Sequence, residues 1–252
     1  MNHFTQLLGL PAAARVDLSF PKAFFERNFD PTTSERKLLH TPYLPLRATW
    51  LASLKPTTAN VSAYRDATSA YEEIQYFALY LSTEHFDTKA NALAALYHRY
   101  LPYQLLLFLH SDTHYRVSAA TISLNRADAD RRVVEMTYDS PVLSLLHPDE
   151  AQQSFEQSLH LARLPTADLR TTYEGYLRCL AALRRSERTG RYRPAGDALH
   201  TKTRLAEIER LERDIRSLTR RLRSAKSLRD RQALQDELNV KRTLLTTTEK
   251  QL

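Results

Sequence analysis

Eight Lys/Arg residues crowd one stretch near the C-terminus: Arg213, Arg216, Arg220, Arg221, Arg223, Lys226, Arg229 and Arg231, against only Asp214 and Asp230. Cations at that density can neutralise successive phosphates of a nucleic acid. The affinity that results is indifferent to base sequence and falls steeply with salt. No aromatic residue is interleaved with them, so stacking on bases is not expected. The same pattern also suits docking on a protein partner, or a solvated face with Glu209–Arg213 and Glu212–Arg216 at i,i+4 spacing.

Elsewhere, residues able to do chemistry are sparse. His110, Asp112 and His114 stand together in "HSDTH", yet neither H-E-x-x-H nor C-x-x-C spacing supports them as metal ligands, and a surface turn is expected. Cys179 falls on an apolar helical stripe beside Tyr176 and Leu180 and reads as a buried thiol rather than a nucleophile. As the only cysteine it also excludes an internal disulfide and fits a reducing compartment. Four glycines in 252 residues leave little material for phosphate-cradling loops. No G-x-S-x-G, Walker A or dinucleotide fingerprint is present. From the residues themselves we expect no cofactor, no metal and no catalytic set.

The elements that position the cations follow from charge and periodicity. Residues 201–252 carry 14 Lys/Arg against 8 Asp/Glu, a net of +6, and residues 1–200 carry 22 against 21. A near-neutral body and a basic tail are therefore expected to be separate modules, the tail meeting something acidic. No apolar run reaches 18 residues, and "MNHFTQLLGLPAAARVDL" lacks the features of a signal peptide, which predicts a cytoplasmic protein without a membrane segment.

In the body, the first forty residues read as short helices interrupted by Pro11, Pro21 and Pro31, with Phe24, Phe25 and Phe29 as anchors. "RATWLASLKP" reads as a strand closed by proline. "EEIQYFALYLS" puts Ile74, Tyr76, Ala78 and Tyr80 on one face and Phe77, Leu79 and Leu81 on the other, as a central strand covered on both sides would. "DTKANALAALYHRYLP" predicts a helix capped by Asp87 or Thr88 and stopped by Pro102. "YQLLLFLH" reads as a buried strand, and "YRVSAATISLN" with "RRVVEMTYDS" as a hairpin joined through "RADAD". Two helices follow, "HPDEAQQSFEQSLHLARL" and "TADLRTTYEGYLRCLAALRRSER". The expected fold is thus an α+β (or α/β) body over residues 1–188, with a mixed central sheet flanked by helices and a helical part at 148–188. A linker at 189–198 and a helical tail at 199–252 complete it.

The tail resolves into two pieces. Ile208, Leu211, Ile215, Leu218 and Leu222 keep a/d spacing, but the same register then places Arg229, Asp236, Thr243 and Lys250 on the seam. A second apolar series runs Leu234, Leu238, Leu245, Leu252. At 100° per residue it is out of phase with the first by about 160°. An antiparallel hairpin, roughly 203–223 and 228–250, brings the two series face to face, with Ser227 and Asp230 as a capping-box-like start of its second arm. A bent continuous helix in a homo-oligomer is the alternative.

Two resemblances add to this reading. The order helix, strand 47–54, short strand near Val61, strand 73–82, helix 88–101, strand 103–110 resembles the core of restriction-endonuclease-like nucleases. That resemblance implies a divalent-metal site built from Asp66 and Glu73, with Mg2+ activating water, but Gln75 stands where the family's lysine would be. The implied nuclease is therefore active or degenerate. The blocks "FPKAFFERNFDPTTSERKLLHTPYLPLRATWLASLKPTTANV", "EEIQYFALYLS", "LPYQLLLFLH", "YEGYLRCLAALRRSERTGRY" and "LERDIRSLTRRLRSAKSLRDRQALQDELNVKRTLL" resemble a bacterial domain-of-unknown-function family, the one numbered 4391. Its genes lie near helicase and DNA methyltransferase genes in restriction or phage-defence loci. The resemblance implies an accessory, non-enzymatic subunit with a helicase or methyltransferase partner, and DNA as a further contact of the basic tail. A purely structural coiled-coil oligomerisation protein is the remaining alternative.

Overall fold

The computed structural model describes residues 3–39, 47–101, 103–124 and 132–252. The expected stop at Pro102 and the "RADAD" connection lie outside them. In chain order the body runs α1 (His3–Leu8), a 3-10 turn (Ala12–Ala14), β1 (Arg15–Phe20), α2 (Lys22–Asn28), α3 (Thr33–Leu39), β2 (Arg47–Leu54), α4 (Pro56–Ala59), β3 (Tyr64–Arg65) and β4 (Ala70–Tyr71). It continues with β5 (Ile74–Tyr80), α5 (Thr83–Tyr100), β6 (Gln104–His110), β7 (His114–Leu124), β8 (Arg132–Asp139), β9 (Leu143–Ser144), α6 (Glu150–Ser158) and α7 (Leu169–Thr189). The chain divides into two compact units, residues 1–195 and 196–252.

The first unit is built on a seven-stranded mixed sheet of order β1-β2-β5-β6-β7-β8, with β9 added to β7. β5 and β6 are its parallel pair, in register from Ile74–Gln104 to Tyr80–His110. A parallel pair needs a long crossover, and α5 supplies it. Each face of β5 is apolar because each is covered. Phe77, Leu79 and Leu81 join Phe25, Phe29, Leu93, Leu96, Tyr97 and Leu107 in one buried cluster against α5. Tyr76 points the other way, to the Tyr176 hydroxyl of α7 at 3.2 Å. Phe25 and Phe29 are buried anchors, and Phe24 is 40% exposed.

Two local expectations are corrected. Residues 15–20 form an edge strand paired with β2, where short helices were expected. Its four middle positions are exposed, so the pairing and not a buried stripe holds it; Arg15–Phe20 does alternate polar and apolar residues, the pattern of a strand, but the prolines on either side argued for short helices. The register shifts between Arg15 and Leu18, and Asp17 absorbs the bulge at φ 50°, a left-handed conformation that Asp tolerates better than most residues. α5 starts at Thr83 behind Ser82, not at Asp87 or Thr88. Ser82 does not cap it through its side chain, because its hydroxyl is paired with Nδ1 of His85 at 2.9 Å.

α7 is bound to the sheet by an unusual contact. The β6–β7 ladder is in register from Leu106–Ala119 to His110–Tyr115. One residue further, the Tyr173 hydroxyl sits between the strands: it accepts from the Ala120 N–H at 3.0 Å and lies 3.0 Å from the Leu105 carbonyl and 2.9 Å from that of Ala120. A side chain therefore closes the ladder where the backbones part.

On the opposite face, the Ser118 hydroxyl donates to Asp139 Oδ1 at 2.6 Å and lies 2.9 Å from His98 Nε2. With its only proton committed to Asp139, Ser118 must accept from His98, which fixes the neutral Nε2-protonated imidazole. His98 is 2% exposed. Burial pushes its pKa down to about 4, against the opposing pull of Asp139. The unfolded chain, with an ordinary His near 6.5, therefore binds more protons between those two values, so stability rises with pH across that window. We expect the contribution to be complete above about pH 6.5 and about 3 kcal/mol to be lost by about pH 4. Urea unfolding at stepped pH checks this: His98→Gln should flatten the pH dependence, and an unchanged profile would contradict it.

Candidate functional site

The second unit is the helical hairpin. α8 (Ala198–Ser224) begins at Asp197, whose Oδ1 accepts from the His200 N–H at 2.6 Å, and α9 (Leu228–Lys250) follows after three residues. Ile208, Leu211 and Leu218 of α8 and Leu238 of α9 are buried. Ile215, Leu222, Leu234 and Leu245 are half-buried. The two out-of-phase apolar series thus face each other, as the antiparallel arrangement requires. Lys241 Nζ reaches Asp214 at 2.9 Å across the pair, and this contact holds the Asp214 carboxyl below the usual carboxylate range.

The expected capping box does not form. Ser227 stands at the N-cap of α9 without a side-chain hydrogen bond. The turn is closed from the other side: the Arg231 N–H donates to the Ser227 carbonyl at 3.0 Å, and Arg231 Nε donates to the Ala225 carbonyl at 2.9 Å. The Ser224 hydroxyl adds a bond to the Arg221 carbonyl at 3.0 Å.

This construction places all eight cations. Arg213, Arg216, Arg220, Arg221 and Arg223 lie on the last turns of α8, Lys226 in the turn, and Arg229 and Arg231 in the first turn of α9. Every one of them is exposed. Among the described residues none is held in an ion pair, Asp214 being engaged by Lys241 from outside the group. At a rise of 1.5 Å per residue, Arg213 to Ser224 spans about 16 Å of helix, and five of the eight cations lie along it.

Asp66, Glu73 and Gln75, the residues that the nuclease resemblance implies, each have surroundings of their own. Asp66 closes its own turn: Oδ1 accepts from the Thr68 N–H (2.8 Å) and hydroxyl (2.9 Å) and from the Ser69 N–H (2.7 Å) and hydroxyl (3.0 Å). Oδ2 accepts from the Tyr64 hydroxyl at 3.0 Å and meets Arg170 of α7 at 3.4 Å. The Thr68 donors first, then those of Ser69, hold this carboxyl far below the ordinary range. Glu73 has other partners, the Ser53 hydroxyl at 2.8 Å and Lys55 Nζ at 3.4 Å. The ammonium beside Glu73 therefore comes from the end of β2, not from the position that Gln75 occupies. Gln75 is 6% exposed, and its Oε1 has no partner among the described residues. The two carboxylates share no partner.

The remaining candidates are engaged locally. Asp112 accepts from the Tyr80 hydroxyl at 3.1 Å, and His114 Nδ1 pairs with the Thr113 hydroxyl at 2.8 Å. Cys179 is buried, and burial pushes its thiol up to about 11, far from a nucleophile's range. Among the described residues no group of three or more His, Cys, Asp or Glu is arranged to hold a metal ion. Sequence reasoning missed Lys55 and Lys241, whose partners lie 18 and 27 residues away and leave no local pattern.

A family described as Domain of unknown function (DUF4391) matches residues 8–245. No curated protein and no solved structure matches the chain.

Proposed function

We propose that this chain, which belongs to the DUF4391 family, is an accessory subunit of a bacterial restriction or anti-phage defence system, and that its basic hairpin grips the phosphate backbone of DNA. The observation that carries the reading is the set of eight exposed cations, free of ion pairs among the described residues, on a unit of its own. Such a surface gains affinity by releasing counterions condensed on the nucleic acid. Contacts of this kind go to phosphates, which fix position on the duplex and carry no sequence information.

In this reading the α/β body docks a helicase or DNA methyltransferase subunit, and covalent chemistry belongs to that partner. The family resemblance supports the setting. No described helix is long and apolar enough to cross a membrane. The test is equilibrium binding of a labelled duplex of arbitrary sequence by the full chain and by a variant with Arg220, Arg221, Arg223 and Arg229 changed to Glu. Equal binding by the two would remove the hairpin from the account.

A further inference from the structure

Leu228 opens α9 directly after the turn of the hairpin and is 83% exposed, more than any other large apolar side chain among the described residues. It is off the seam: ten residues before Leu238, it is turned away by about 80°. A single exposed leucine is ordinary on a protein surface. This one is distinguished by its setting. Arg223, Lys226, Arg229 and Arg231 all lie within five residues of it, and all are exposed. The backbone beside it is tied across the turn, where Arg231 Nε bonds to the Ala225 carbonyl.

We propose that Leu228 is an apolar wedge that enters between base pairs of duplex DNA while the flanking cations hold the phosphates; this rests on the phosphate-binding reading above. A leucine carries no hydrogen-bonding group, so it unstacks a base step without reading it and favours steps that open readily, such as TA. The cations supply what a lone apolar side chain lacks, a hold on the backbone on either side of the step. A turn tied by Arg231 lowers the backbone ordering that binding requires.

The experiment uses the full chain, a duplex with 2-aminopurine at a central TA step, and 50 mM salt. Wild type should raise the 2-aminopurine fluorescence on binding. Leu228→Ala should abolish the rise and weaken binding roughly tenfold with the salt dependence unchanged, and Leu228→Met should restore both. Leu228→Ala that keeps the rise and the affinity overturns the wedge. So does wild-type binding with the expected salt dependence and no change in fluorescence, which leaves the phosphate reading standing. A wild type that binds no duplex overturns both. Phosphatidylserine vesicles form the second arm: if Leu228→Ala loses vesicle binding but keeps its duplex affinity, the tip is a lipid contact and the wedge is wrong.

Discussion

Changing Arg220, Arg221, Arg223 and Arg229 to Glu is expected to weaken duplex binding at least ~100-fold at low salt and to flatten its salt dependence by about four units in log–log slope. The four sites are exposed and unpaired among the described residues, so their reversal breaks no ion pair and should leave the hairpin folded. Each change removes a counterion-releasing contact and adds an anion that repels the phosphates. The seam of Ile208, Leu211, Leu218 and Leu238 is untouched, and so is the Lys241–Asp214 contact. Circular dichroism of the variant should match wild type, which separates loss of binding from loss of structure. If binding survives with its slope intact, the cations at the tip are an ordinary solvated surface.

The second large effect is one of stability. Tyr173→Phe removes a hydroxyl that is fully buried between β6 and β7 and bonded to Ala120 and Leu105. Phenylalanine fills the same space but strands the Ala120 N–H and a carbonyl in a fully buried site. Unsatisfied buried groups cost about 1–3 kcal/mol each, so a loss of about 3 kcal/mol is expected, or about 10 °C in Tm for a unit of this size. Tyr76→Phe is the contrast. Among the described residues its hydroxyl meets only that of Tyr176, and its removal leaves one hydroxyl, not a backbone pair, without that partner. A Tyr173→Phe protein no less stable than Tyr76→Phe would show that the ladder closes without the hydroxyl.

What could be read from the chain depended on whether its cause was local. β5 was legible because a strand covered on both faces must be apolar on both; the sheet was expected to be mixed, and which of its strands run parallel was not part of that expectation. The hairpin was legible because its apolar series slips phase between Leu222 and Leu238, and a reversal of the chain brings the two halves together. β1 was misread although Arg15–Phe20 alternate polar and apolar residues, because its exposed middle positions bury no stripe and the flanking Pro11 and Pro21 argued for short helices. Tyr173 appeared among the apolar residues of α7, and nothing in that stripe announced that its hydroxyl completes a ladder 53 residues away. In the candidate site, the cations and their clustering followed from sequence. The pinning of the turn by Arg231, and the projection of Leu228 beside it, needed the backbone geometry.

The most direct test of the account is the salt dependence of duplex binding by the unmodified protein between about 50 and 200 mM. Eight phosphate contacts would give a slope of about −7 in log K against log salt, and engagement of half of them about −3.6. The account predicts a slope in that range, the same for unrelated sequences. A flat dependence, or no binding at 50 mM, would contradict it.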